Sequence, residues 1–235
     1  MKETFIKTSN YTKMFELLSI LVDDLEGNAE RMGLIYGEYG TGKTFPLERI
    51  TVEFNAVLLR QNQTWTKSST QKILAKELDI SLTGKSTTEV FDEIVNSLMF
   101  NPRPIIVDEI DDLLKSDRFS VLEFFRDVHD VTKNVFIMVG MESCNSRLKN
   151  HPHFYSRIVE KVKFNKIGLE DIKKFVLQSE VKIKDDLIDF FLNKYPNLRR
   201  IKVFILRIEK WCDANGFEEI DLKTFRKSGV EKDDN

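Results

Sequence analysis

Cysteine is scarce in this sequence, with only Cys144 and Cys212 among 235 residues. Neither has the nearby histidines or further cysteines that a zinc site needs, so we expect two reduced thiols and no structural metal. Long apolar runs are lacking too, and the first residues are polar and charged instead of an apolar secretion signal. The sequence therefore predicts a cytoplasmic protein that crosses no membrane.

A large excess of charge of one sign is lacking as well. The formal net charge is −2 and the isoelectric point is near 6.0, which gives no bulk attraction to a polyanion. Any binding of nucleic acid must then come from a local basic patch, or from repetition of a weak contact in an oligomer.

What the sequence does contain is an alternation of short β-like runs with longer segments of helical periodicity. This alternation predicts an α/β fold with a central five-stranded parallel sheet flanked by helices. A helix over 11–24, with Asn10 as its N-cap, is expected to lead into the sheet. The five runs lie at 32–36, 55–59, 104–107, 135–139 and 159–164.

After Gly168 the β-like runs stop and only helical patterns remain. They predict helices over 169–178, 185–195 and 197–215, which suit a small C-terminal helical lid. We expect an α/β domain over 1–166, a helical lid subdomain over 167–229 and a disordered polar tail over 230–235.

A phosphate-binding motif follows the first run. The segment matches G-x-x-x-x-G-K-[ST], the P-loop or Walker A pattern of P-loop NTPases, and predicts binding of ATP with Mg²⁺. Its backbone N–H groups and Lys43 would face the phosphates, and the Thr44 hydroxyl would ligate Mg²⁺. The alternative is a glycine-rich turn with a chance lysine. The segment reads Gly37-Glu38-Tyr39-Gly40-Thr41-Gly42-Lys43-Thr44.

Two acids, Asp108 and Glu109, directly follow the apolar run at 104–107. Carboxylates at the carboxyl end of a buried strand meet the edge where open α/β sheets bind ligands. Asp108 would hold the Mg²⁺ shell, and Glu109 would orient or deprotonate the attacking water, which predicts ATP hydrolysis to ADP and phosphate. Alternatively, the acids begin a solvated helix, the interpretation we prefer for Asp111 and Asp112.

The order of these motifs resembles the AAA+ ATPases, and within them the phage Mu B and TnsC group of DNA transposition regulators. The likeness covers almost the whole chain. Its more specific parts are Leu122-Glu123-Phe124-Phe125-Arg126-Asp127-Val128-His129, Phe136-Ile137-Met138-Val139-Gly140 and Phe154-Tyr155-Ser156-Arg157-Ile158.

The resemblance implies two catalytic arginines. Arg157 matches the finger that reaches the nucleotide of a neighbouring subunit, which implies self-association into a ring or helical filament; the alternative is a surface arginine paired with Glu160. Arg199 matches the arginine of the lid, although Pro196 replaces the usual glycine; the alternative is a basic helix start. For the polar residue after the fourth strand, Glu142, Ser143 and Asn145 all stay candidates.

A candidate DNA-facing loop follows the second strand at 60–70, which is rich in side chains that can contact phosphate without reading sequence. Lys67 is the expected phosphate contact. Trp65 either stacks against DNA or anchors the loop in the core, and the second is commoner. Repetition along a filament would give binding of DNA, double-stranded by expectation and largely sequence-independent.

Three functions compete at this point. The resemblance implies an ATP-dependent DNA-binding ATPase that oligomerises on DNA and regulates target selection or the activity of a transposase. A helicase-loader or replication-initiator ATPase would share the same site. A nucleotide-gated interaction switch without DNA binding is the third.

Overall fold

A computed structural model describes residues 5–23, 30–115 and 117–231, without the side chains of Thr44 and Phe45. In the part of the chain it describes, no helix has the length and apolar character needed to span a bilayer. The described residues divide into two compact units.

The larger unit comprises described residues from 13–37 and 44–164. Its elements, with the first helix crossing into it, are α1 (Ser9–Asp23), β1 (Met32–Gly37), α2 (Thr44–Glu53), β2 (Val57–Arg60), α3 (Lys67–Glu77), α4 (Thr87–Phe100), β3 (Ile105–Asp108), a 3-10 turn (Ile110–Asp112), α5 (Phe119–Thr132), β4 (Phe136–Gly140), α6 (Ser143–Leu148), α7 (Pro152–Tyr155) and β5 (Ile158–Phe164).

The five strands form one parallel sheet in the order β2-β3-β4-β1-β5. Every residue of β3 and β4 is buried, as expected for strands covered by helices on both faces. The predicted α/β fold with a central five-stranded parallel sheet is confirmed. Each strand lies within two residues of its predicted position.

Local capping explains where several helices begin. Thr66 and Ser69 form a capping box at the start of α3, and Ser86 and Glu89 form one at the start of α4. At α1 the cap is Thr8, whose hydroxyl accepts a hydrogen bond from the N–H of Tyr11 at 3.2 Å. The expected N-cap Asn10 is therefore wrong, because Asn10 lies inside the helix.

The smaller unit comprises described residues from 1–12, 38–43 and 165–235. Its core is rich in aromatic rings, with Phe191, Phe204 and Phe225 in mutual contact. Its elements are α8 (Leu169–Val176), β6 (Lys182–Ile183), α9 (Asp185–Lys194), α10 (Leu198–Asn215), β7 (Glu219–Ile220) and α11 (Leu222–Ser228).

Two features of this unit differ from the expectation. Strands β6 and β7 pair in parallel, although no strand was predicted after Gly168. Val230 is buried, and Glu231 accepts hydrogen bonds from Lys194 and from the Tyr195 hydroxyl, so the expected disordered tail does not begin at residue 230. Residues 232–235 lie outside the described residues. The domain limit at 166 stays a prediction.

Candidate phosphate-binding site and its surroundings

The P-loop runs from the end of β1 at Gly37 to the start of α2 at Thr44. Gly40 and Gly42 both have φ of +79°, the left-handed region that glycine adopts without strain. Inside the loop, the Thr41 hydroxyl donates to the main-chain oxygen of Glu38 at 2.9 Å. Alternating left-handed residues turn successive N–H groups toward one concavity, the arrangement that binds anions.

Gly40 is required for a second reason. A Cβ at this position would lie 2.3 Å from the side-chain nitrogen of Asn197, which caps α10. No real Cβ tolerates such a distance, so any side chain at Gly40 forces the capping side chain of Asn197 or the loop to shift.

Lys43 lies over the backbone of its own loop. Its ammonium group donates to the main-chain oxygen of Glu38 at 2.9 Å, while the Glu38 carboxylate lies 3.3 Å from the ammonium of Lys166. The predicted role of Thr44 rests on a side chain outside the described residues. Only its place as the first residue of α2 is described.

Asp108 and Glu109 stand at the carboxyl end of β3. Since β1 and β3 both flank β4 in a parallel sheet, Gly37 and Asp108 end at the same sheet edge. Asp108 is 6% exposed, and one of its oxygens accepts the N–H of Glu109 at 2.9 Å. Glu109 is exposed and has φ of 62°, a left-handed conformation unusual for a residue other than glycine.

The Asp111 carboxylate is hydrogen-bonded within the protein, whereas the sequence predicted that it begins a solvated helix. Its carboxylate accepts the N–H of Met141, just after β4, and the thiol of Cys144 at 3.1 Å. Burial, together with this hydrogen bond, raises the pKa of the Cys144 thiol. Asp111 thus ties the segment after β3 to the segment after β4, a role with no signal in the sequence.

Arg157 is held by an acid, although not by Glu160. Its Nε donates to Asp130 at 2.6 Å, and its Nη1 donates to the main-chain oxygen of His153 at 2.6 Å. Burial alone would raise the pKa of the Asp130 carboxyl, but the hydrogen bond from Arg157 and the nearby positive charges outweigh it and lower that pKa. The same hydrogen bond raises the pKa of the Arg157 guanidinium.

Arg199 lies in the first turn of α10, whose cap Asn197 accepts N–H groups from Arg199 and Arg200. The Arg199 guanidinium is exposed and lies 3.4 Å from the hydroxyl of Tyr39 in the P-loop. Pro196 directly precedes the cap and leaves the helix start intact.

The candidate DNA-facing loop divides into a buried and an exposed part. Trp65 is 3% exposed, which favours its interpretation as a core anchor over stacking on a base. Lys67, at the start of α3, is exposed and lies 3.6 Å from the Asp127 carboxylate.

A polar cleft of about 290 Å³ opens beside Lys67, lined by residues 63–67, 117, 118, 120 and 121. Among the described residues, the Nη1 atom of Arg118 has no hydrogen-bond partner although water does not reach it. Nothing in the sequence singles out Arg118, because the cleft is lined by two segments that lie about 50 residues apart in the chain.

The comparisons with known proteins agree with this architecture. No curated protein matches the sequence significantly. Among solved structures, the ORC2 protein of Aeropyrum pernix, in ADPNP and ADP complexes, has a TM-score of 0.74 at 18% identity, covering 99% of this chain and 71% of that chain. Cdc6p of Pyrobaculum aerophilum has a TM-score of 0.66 at 16% identity, with coverages of 98% and 69%.

A third structure is the ORC1 protein of Aeropyrum pernix in complex with DNA. It has a TM-score of 0.60 at 15% identity, with coverages of 97% and 66%. At these identities the likeness establishes the fold alone. The closer assignment to the Mu B and TnsC group stays a proposal.

A family model described as an AAA domain matches residues 26–148. This match spans more than half of the 235 residues and contains both the P-loop and the Asp108-Glu109 pair. The chain belongs to the AAA domain family.

Proposed function

We propose that this protein is a Mg²⁺-dependent ATPase that assembles on DNA. The observation that carries the ATPase part is the P-loop itself, where two left-handed glycines and Lys43 stand between a buried strand and a helix. The two acids at the end of β3 support hydrolysis in addition to binding. A protein that only binds the nucleotide has no need of a general base, the role proposed for Glu109.

The residues present fit a nucleotide with its metal. The loop around Gly40 and Gly42 offers backbone donors to an anion, and the carboxylate of Asp108 is the kind of ligand that Mg²⁺ prefers. Bound ATP with Mg²⁺ supplies the phosphoanhydride bond to be broken and neutralises part of its charge. Lys43 binds the phosphates, and Glu109 orients the attacking water and accepts its proton.

Arg157 is the proposed finger that acts on the nucleotide of a neighbouring copy of the chain. In the isolated chain it is paired with Asp130, so assembly must exchange this carboxylate for a phosphate. The protein is then a poor ATPase as a monomer, and its hydrolysis rate per chain rises with protein concentration.

Replacing Arg157 with alanine is expected to lower assembly-dependent hydrolysis by about 10³-fold, because a finger contributes at least this much to phosphoryl transfer. ATP affinity should be retained. The matched control is Arg126→Ala, since Arg126 contacts the same Asp130 and also Asp127. Phosphate release is measured across a range of protein concentrations. Equal rates for Arg157→Ala and Arg126→Ala would refute the finger.

Three observations support DNA as the partner. Lys67 is exposed, and the partly exposed Arg118 side chain lines the same polar cleft. The ORC1 protein, which shares the fold, is seen in complex with DNA. Basic side chains of this kind contact phosphates without reading sequence, and their effect multiplies in an assembly.

The double substitution Lys67→Ala with Arg118→Ala is expected to weaken ATP-dependent retention of duplex DNA and to flatten its dependence on salt, because two phosphate contacts per chain are lost. The control is Lys72→Ala, an exposed lysine further along α3. Filter binding at several salt concentrations measures the retention of DNA and its salt dependence for each variant. Retention of DNA with unchanged salt dependence would place the DNA contact elsewhere.

Two cellular roles fit this activity. The motifs around Arg157 resemble those of transposition regulators, whereas the fold likeness to ORC and Cdc6 proteins favours a replication initiator or helicase loader. Light scattering of the protein with ATP and duplex DNA, followed by addition of a transposase or a helicase encoded nearby, separates the two. Absence of any nucleotide-dependent DNA binding would leave only a nucleotide-gated interaction switch.

A further inference from the structure

Asn10 is buried, with 3% of its surface exposed, and its amide connects three distant parts of the chain. Its Nδ2 donates to the main-chain oxygen of Thr41 at 3.2 Å and to that of Asn165 at 2.9 Å. Its Oδ1 accepts the N–H of Asn165 at 3.1 Å. The start of α1 is thus bonded both to the P-loop and to the first residue after β5.

A second link runs from the neighbouring residue. Ser9 donates its N–H and its hydroxyl to the two oxygens of Asp171, at 2.9 and 2.7 Å. Asp171 is itself buried, at 3% exposure, in the first turn of α8. All of these residues belong to the smaller unit. Two consecutive side chains therefore join the P-loop to the beginning of the C-terminal helices.

The hydrogen bond from Asn10 to the Thr41 carbonyl lies in the part of the P-loop whose conformation orients the N–H groups toward the phosphates. Thr41 lies between the two left-handed glycines, Gly40 and Gly42, so a rotation of its peptide group turns the neighbouring N–H groups away from the phosphates. A carbonyl that loses a buried donor is less well held, because a poorly paired buried acceptor is unfavourable and rotation toward water relieves it.

We propose that Asn10 is a positioning residue for nucleotide binding. It holds the P-loop at Thr41 in its phosphate-binding conformation, and it links the occupancy of that loop to Asn165 and the helices that follow. The inference rests on the proposed binding of ATP at the P-loop.

The test compares Asn10→Ala with Ser9→Ala in the full chain. Loss of one buried hydrogen bond to the loop should weaken the binding of a fluorescent ATP analogue about tenfold, with the hydrolysis rate at saturating ATP largely retained. Ser9→Ala keeps the N–H bond to Asp171, and the hydroxyl that it removes bonds to Asp171 instead of the loop. The affinity of this variant for ATP should therefore equal that of the wild type. Unfolding temperatures without nucleotide, measured for both, separate stability from affinity.

A measurement on the wild type covers the case in which Asn10→Ala folds poorly. Hydrogen exchange of the Asn165 N–H, which donates to Asn10, should slow when ATP binds, together with exchange in residues 38–43. Unchanged affinity of Asn10→Ala, or unchanged exchange at Asn165 while the loop is protected, would overturn the proposal and leave ATP binding intact. A wild-type chain that binds no ATP would overturn both.

Discussion

Replacing Lys43 with alanine is expected to weaken the binding of ATP by about 100-fold, because a charged hydrogen bond to a phosphate contributes up to about 3 kcal/mol. The fold should survive, since the ammonium group donates to a main-chain oxygen of its own loop and joins no distant element through this bond. Fluorescence anisotropy of a labelled ATP analogue measures the affinity, and circular dichroism measures the fold.

Lys166→Ala is the matched control for this substitution. Lys166 also contacts Glu38, at 3.3 Å, but it does so through the carboxylate and is largely exposed. Exposed ion pairs contribute little, so the affinity for ATP should change only slightly. If the two alanine variants bound ATP equally well, Lys43 would not contact phosphate and the P-loop interpretation would fail.

The second large effect is expected for Glu109→Gln. An amide of the same shape still occupies the left-handed position after β3, but it cannot accept a proton from water. Hydrolysis should fall by about 10²- to 10⁴-fold, the usual contribution of a general base, while ATP affinity is kept. Steady-state phosphate release and equilibrium binding are measured on the same preparation.

Asp112→Asn controls for the loss of a negative charge near the same strand end. Asp112 lies three residues after Glu109 and pairs with Lys115 at 2.6 Å. Its replacement should leave hydrolysis close to the wild-type rate. A Glu109→Gln protein that hydrolyses ATP as fast as Asp112→Asn would assign the base to another residue.

The parallel sheet and the P-loop were predictable because both depend on short-range patterns. Buried strands covered on both faces are apolar runs, and the loop needs glycine wherever φ is positive, as at Gly40 and Gly42. Asp108 and Glu109 followed from their position after such a run.

The same short-range patterns could not predict contacts between residues that are distant in the sequence. Asn10 has the chemistry of an N-cap, yet its partners Thr41 and Asn165 are distant in sequence, and Thr8 caps the helix instead. Strands β6 and β7 have two residues each, too few to show a period. The sequence offered Glu160 as the alternative partner of Arg157, and only the folded chain brings Asp130 to it.

The central claim, hydrolysis of ATP at the P-loop, is tested most directly by phosphate release from the unmodified protein with Mg²⁺, followed beside Glu109→Gln. The account predicts continuous release by the wild type, stopped by chelation of Mg²⁺, and almost none from the variant. Release that never exceeds the Glu109→Gln background, at any protein concentration and with duplex DNA present, would contradict it.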